Sequence, residues 1–449
     1  MKDYKNIDAT ITRFNDKISI IGEYISEYAT MKTRVKLEIE WLIFVNTLIG
    51  NKDLSKKKIN ELKDIYFNFS EKDAQWIENK DKEINHDTKS AEYFVRMKLD
   101  RLELEEFAPL VHIGLTSADI DNNTVMLGIK RLEQEHLSIV RDEQLKILKK
   151  LIIDNKDSVF IGKTHGKYAV PTTMGKELLN YWHRLKKLDR KLIKFKFEGK
   201  LTGAVGNWNA LIDKYPNIDW IKSNREFIDS IGLESNMFTT QILPYENLIE
   251  YLHLIHQYNY VLIDLAKNMW IYISEGYFKL KIKKKEIGSS TMAHKVNPID
   301  FERCESYLIM SSGIIETLAR NLPINRLQRD LTDKNMIREL GPLMARAVLG
   351  YVSINEGLNK VSFNKDKPQK ELKLHWEILS ESMQTILRVH GYQDAYEVIK
   401  DKTRGKRLSK DKYMELVKEL DISKEAKEEL ANLKPQNYIG WAIDIIDEI

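Results

Sequence analysis

At 449 residues the chain has room for two or three domains and a large core. Its 43% hydrophobic and 31% charged residues are ordinary for a soluble globular protein, and a formal net charge of +4 argues for no nucleic-acid partner while suiting a small anionic ligand. The lone cysteine, Cys304, excludes an internal disulfide and fits a reducing compartment. No apolar run approaches the roughly 20 residues of a membrane span. Met1-Lys2-Asp3-Tyr4 lacks the apolar core of a signal peptide, so the expected location is cytoplasmic, with no membrane partner.

Taken in order, the chain reads almost entirely helical. Its 9 prolines begin only at Pro109, which leaves the first hundred residues free of helix breakers. Residues 16–50 carry Ile18, Ile21, Tyr24, Ile25, Tyr28, Met31, Val35, Leu37, Trp41 and Ile43, mostly at spacings of three or four, predicting an amphipathic helix. A helix over Lys89–Met97 follows Asn85-His86-Asp87, and one over 119–135 follows Thr116-Ser117. Long patterns occupy 123–152 and 174–198. From Asn247 to Glu275 there is neither glycine nor proline, giving a rod on the order of 40 Å. Several long helices in succession imply a bundle, and apolar residues beyond one stripe imply surfaces that face other subunits. Strict strand-like alternation is rare, so the expected class is all-α. Punctuation at Pro109 and at Asn364–Pro368 marks boundaries near 110 and 364.

The residue types suited to chemistry fall in a few short stretches. Arg13 near the start reads equally as a solvated surface group. Asn85 or Asp87 at a helix boundary is a cap as readily as a ligand contact. Thr116 and Ser117 offer hydroxyls at a helix N-terminus, itself an anion site, and also fit plain capping. His165 lies in Lys163-Thr164-His165-Gly166, where an imidazole titrating near neutrality suits proton transfer, although a single histidine is more often structural. In residues 287–302, Gly288 and Ser289 open a flexible segment, Lys295 and Asn297 supply a cation and an amide, and Pro298 ends any ladder. Such a loop folds over an anion, or simply connects two helices. Arginines recur in Arg326–Thr332 and at Arg338, and their planar forks suit oxyanions. The basic run Lys279–Lys285 lacks interleaved aromatics and reads as a solvated face. His253 and His256 show no third ligand partner, and no GxGxxG, Walker loop, HExxH or paired CxxC is present.

Together these stretches resemble the fumarase/aspartase superfamily. Gly288-Ser289-Ser290-Thr291-Met292-Ala293-His294-Lys295-Val296-Asn297 is similar to its GSSxxPxKxN signature, with Ala293 in place of proline. The continuation Ile299-Asp300-Phe301-Glu302 is similar to the adenylosuccinate lyase branch in its longer bacterial form. Further similar segments are Asn85-His86-Asp87, His112 to Asp119 (HxGxTSxD), Thr164-His165-Gly166, Gly203-Ala204-Val205-Gly206-Asn207, and Thr403 to Arg407. Lys167-Tyr168 departs from the usual Gln-Pro, and Phe14 replaces a tyrosine.

The resemblance implies an all-α, three-domain helical fold with a long central bundle: 1–110 N-terminal, 111–364 central, 365–449 C-terminal. It implies a homotetramer with sites shared between subunits, no metal and no organic cofactor. The implied reaction is β-elimination of fumarate from succinyl-purine nucleotides. Its implied catalytic residues are Ser289 as base, His165 as donor to the leaving nitrogen, His86 assisting it, and Lys295 stabilising charge. Implied substrate contacts are Arg13, Phe14, Asn85, Asp87, His112, Thr116, Ser117, Gln241, Asn297, Glu302, Arg303, Arg329, Lys334 and Arg338. Phe14, Lys167, Ala293, Arg303 and Lys334 depart from the longer bacterial pattern. They leave open a lyase for another succinylated amine, and a non-catalytic protein on this fold is the remaining alternative.

Overall fold

The computed structural model describes residues 5–50, 52–281, 291–292 and 294–449. The elements that matter below are helices α1 (Ala9–Ile18), α2 (Glu27–Ile49), α3 (Asp87–Arg101), α4 (Ser117–Leu132) and α5 (Ser138–Asp154). They are followed by strands β1 (Val159–Thr164) and β2 (Lys167–Thr173). Then come α6 (Met174–Ile193), α7 (Glu246–Ser274), α8 (Ile299–Asn321), α9 (Leu340–Lys360) and α10 (Asp366–Leu374). The all-α class holds. Strands among the described residues form three two-stranded sheets.

Three expectations need correction. The single helix expected over 16–50 is broken. Ser26 takes extended angles, φ −85° and ψ 171°, and its hydroxyl caps Ala29 N at 3.1 Å, so α2 starts afresh there and ends at left-handed Gly50. The patterns over 119–135 and 123–152 belong to α4 and α5, joined by a π-turn at Glu133–Leu137. The third is the antiparallel pair β1–β2, whose strands the sequence leaves unmarked. It pairs Thr164 with Lys167 around His165-Gly166, and both of those residues have positive φ, 52° and 72°. Two such residues make the type I′ turn that matches strand twist.

The chain divides into two compact units. The first comprises 1–141, 188–260 and 306–352, and the second 142–187, 261–305 and 353–449. The parts of α7, α8 and α9 that fall in the first unit lie side by side. A Cβ at Gly350 would come within 2.5 Å of Leu308, so glycine is what allows that approach. The Tyr351 hydroxyl donates to Asn259 Oδ1 at 2.8 Å, satisfying polar groups inside the packed core. A fully buried charge network lies close by. Arg141 donates to Glu133 and Asp189, and the Tyr251 hydroxyl adds a 2.9 Å bond to Glu133. In the second unit, the core is built by Ile161, Leu372, Trp376, Leu379, Met383 and Tyr413.

Candidate active site

Within the first unit lies a cavity of about 520 Å³, ordinary for a small-molecule site. Apolar side chains of the first thirty residues form one wall, including Ile11, Ile18, Ile21 and Ile25. Charged groups form the other. Arg34 of α2 donates to Asp87 Oδ2 at 2.8 Å and to Asp121 Oδ1 at 2.9 Å. Lys334 donates to Asp87 Oδ1 at 2.6 Å and lies 3.3 Å from Asp121 Oδ2. Burial works against a charged Asp87, but Arg34 and then Lys334 outweigh it and hold the carboxyl well below its usual range. Arg329 donates to Asp333 Oδ1 at 2.6 Å, and the buried Tyr245 hydroxyl donates to Asp333 Oδ2 at 2.6 Å. Arg338 lines the same cavity, is exposed, and makes no ion pair with another described residue.

Beside α4 the loop carrying His112, Thr116 and Ser117 is fixed from within. Asp119 accepts from Thr116 N at 2.9 Å, from Thr202 N at 2.9 Å and from Gly203 N at 3.2 Å. The ammonium of Lys200, fully buried, lies 3.0 Å from Asp119 and also donates to the Gln241 carbonyl. Burial lowers the Lys200 pKa, with Asp119 only partly opposing it. One buried cation thus ties the Thr116 loop, the 203–207 turn and Gln241 together. The Gln241 amide donates to Ala204 O at 3.1 Å, and its backbone N–H donates to Gln328 O at 3.2 Å, beside Arg329. His112 sits in the left-handed region, φ 62°, with Nδ1 2.6 Å from buried Glu38. Burial opposes charge on His112, but Glu38 outweighs it and raises the imidazole pKa.

His86 caps α3. Its Nδ1 accepts from Lys89 N at 3.1 Å, which leaves Nε2 as the ring's free nitrogen for a proton. Asn85 is left-handed, φ 53°, and ends the preceding helix. Arg13 is exposed, and its guanidinium lies 5.6 Å from the Phe14 ring. Phe14 meets Tyr307 edge-on at 5.8 Å and interrupts α1 with φ −114°.

The second unit carries the remaining candidates. His165 stands exposed at the tip of the β1–β2 hairpin, and Lys295 is exposed on the segment before α8. Asn297 is half-buried. Glu302 accepts from Trp270 Nε1 at 3.1 Å, and Arg303 donates to Asp300 at 3.3 Å. Tyr168 donates to Glu371 Oε1 at 2.9 Å, and Tyr277 donates to Glu371 Oε2 at 2.6 Å. Burial and the Glu371 carboxylate push the Tyr168 phenol up to about 12. Ser289 and Ala293 lie outside the described residues.

So the structure gathers Asp87, Arg329, Lys334 and Arg338 around one cavity and links Gln241 to the Thr116 loop. Sequence reading misses Arg34, Asp121, Tyr245 and Asp333 on the cavity wall, Glu38 and Lys200 beneath the Thr116 loop, and, in the second unit, Glu371 behind the hairpin. These are single polar residues inside helical or loop segments, and only burial marks them out.

Residues 11–312 match the family model described as Lyase, and residues 325–439 the one described as Adenylosuccinate lyase C-terminal. The adenylosuccinate lyase of Buchnera aphidicola subsp. Schizaphis graminum is 38% identical over 441 residues, 97% of each chain. That of Escherichia coli K12 is 37% identical over 441 residues, again 97% of each. Among solved structures, a fumarate lyase from Mesorhizobium sp. BNC1 superposes with a TM-score of 0.76 at 16% identity, covering 96% of this chain and 97% of that one. A 3-carboxy-cis,cis-muconate lactonizing enzyme from Pseudomonas putida superposes at 0.78, also at 16% identity, with 97% of each chain covered. At that identity the two structures speak to the fold alone, whereas the near full-length sequence matches go further: the chain belongs to the adenylosuccinate lyase family.

Proposed function

We propose that the chain is a carbon–nitrogen lyase that eliminates fumarate from adenylosuccinate, giving AMP, and from SAICAR, giving AICAR. On this reading it serves purine nucleotide biosynthesis in the cytoplasm, as a homotetramer with shared sites. The observation that carries the reading is the match to adenylosuccinate lyases over 97% of the chain. The cavity supports it. Its volume suits a nucleotide, and Arg338 is a cation with no counter-charge among the described residues, as a phosphate requires.

The elimination needs a base beside a carboxylate, a donor at the departing nitrogen, and fixed positive groups for the dianionic intermediate. Ser289 is assigned as base. A hydroxyl is too weak an acid to ionise unaided, so Lys295 and the backbone amides of its loop supply positive potential on closure. His165 gives a proton to nitrogen as the C–N bond breaks, with His86 Nε2 assisting. Thr116, Ser117 and Asn297 hold the succinyl carboxylates. Arg13, Arg329 and Arg338 meet the phosphate. The three-domain division at 110 and 364 belongs to the same reading. Absorbance should report fumarate release from adenylosuccinate and none from argininosuccinate. Turnover of argininosuccinate alone would replace this reading with a lyase for another succinylated amine.

A further inference from the structure

His165 has no hydrogen bond from its ring to another described residue, so the direction of its imidazole is set by the backbone of the β1–β2 turn. That backbone is anchored immediately on either side. On β1, the Lys163 ammonium pairs with Glu275. On β2, Tyr168, the register partner of Lys163, donates to Glu371 Oε1 at 2.9 Å. Glu371 is itself fixed. It is 8% exposed on α10, and it accepts from Tyr277 at 2.6 Å and from Lys367 at 2.9 Å. The Tyr168 ring packs against His375, with centroids 4.4 Å apart. The pairing register shifts between Ile161 and Lys163, so the strands near the tip are not locked by a regular ladder alone.

Position 168 is also where this chain leaves its family's pattern. The usual Gln-Pro fixes the strand through the proline ring, which clamps φ. Tyrosine places no such restraint on the main chain. We propose that Tyr168 and Glu371 are positioning residues for His165: a side-chain latch to α10 does here what the proline ring does elsewhere. Neither touches the substrate. Their effect passes through the backbone of residues 164–168 to the imidazole.

The proposal rests on His165 being the proton donor, and three variants of the full-length protein separate the two claims. Tyr168→Phe removes the hydroxyl and keeps the ring. It should lower kcat about tenfold, leave KM within about twofold, and leave the unfolding midpoint nearly unchanged. Tyr168→Pro should return kcat to within about threefold of wild type, because the ring restores the restraint by the family's own route. His165→Gln should lose several orders of magnitude. If Tyr168→Phe turns over at the wild-type rate while His165→Gln is inactive, the latch is wrong and the donor assignment stands. A loss in Tyr168→Phe that proline does not rescue, and that follows the unfolding midpoint, makes Tyr168 merely structural. An active His165→Gln overturns the donor assignment and the latch with it.

Discussion

Asp87 shows how a single carboxyl can be both legible and underestimated in a sequence. Asn85-His86-Asp87 marks it as a candidate, yet its cations, Arg34 and Lys334, lie 53 and 247 residues away and carry no local signal. Only the fold reveals that two cations share two carboxylates. The depressed Asp87 pKa makes a pH-dependent contribution to stability. The contribution is fully present above the unfolded value of about 3.9 and is lost as pH falls through the lower folded value. Lys334→Met removes one partner and lets the folded pKa rise toward the unfolded one. We expect the variant to be about 1 kcal/mol less stable at pH 7, since both groups are partly solvated. In urea unfolding the gap should hold steady from pH 7 to about pH 4 and narrow only below the variant's own folded pKa, which NMR titration of the Asp87 carboxyl should place above the wild-type value. An Asp87 carboxyl that titrates alike in the two proteins would mean Lys334 acts through packing and not through Asp87.

At the scale of elements, the long helices are readable because their apolar spacing is continuous. The rod expected over 247–275 is α7 within a residue at each end. The β1–β2 hairpin is not readable, for a definite reason. Its strands alternate too briefly for a period of two to stand out, and its turn places histidine where asparagine or glycine is usual. Gly166 nonetheless governs that turn. Its φ is 72°, and beyond its two chain neighbours no atom of a described residue lies within 4 Å of where a Cβ would stand, so a substitution there meets backbone strain and no clash. Gly166→Asn should therefore keep most activity, because asparagine tolerates the left-handed region, whereas Gly166→Val should distort the tip and cut kcat at least tenfold. Equal kinetics for the two variants, in a steady-state fumarate assay, would show that the tip does not need this turn type.

At the scale of the whole molecule, the class and family are legible in the sequence but the groups behind the site are not. Glu38, Lys200 and Glu371 look like surface charges until burial is known. The proposed sharing of sites between subunits has a quantitative test. His165→Ala and Ser289→Ala proteins, each inactive, are mixed equally and allowed to exchange subunits. A site that takes His165 from one chain and Ser289 from another has both intact in about a quarter of cases in random tetramers. Activity should recover to roughly a quarter of wild type. No recovery, with hybrids verified by mass spectrometry, would place both groups on one chain.

The Glu133–Arg141–Asp189 network, sealed inside the first unit, gives the protein a characteristic response to heat. Stripping water from ions carries a large cost at low temperature, and that cost shrinks on warming because ionic hydration is entropically unfavourable. Apolar burial per unit area levels off over the same range. The buried ions therefore weigh least against the folded state when the protein is warm, and most when it is cold. Chilling penalises this core twice, through weaker apolar association and through costlier ion dehydration.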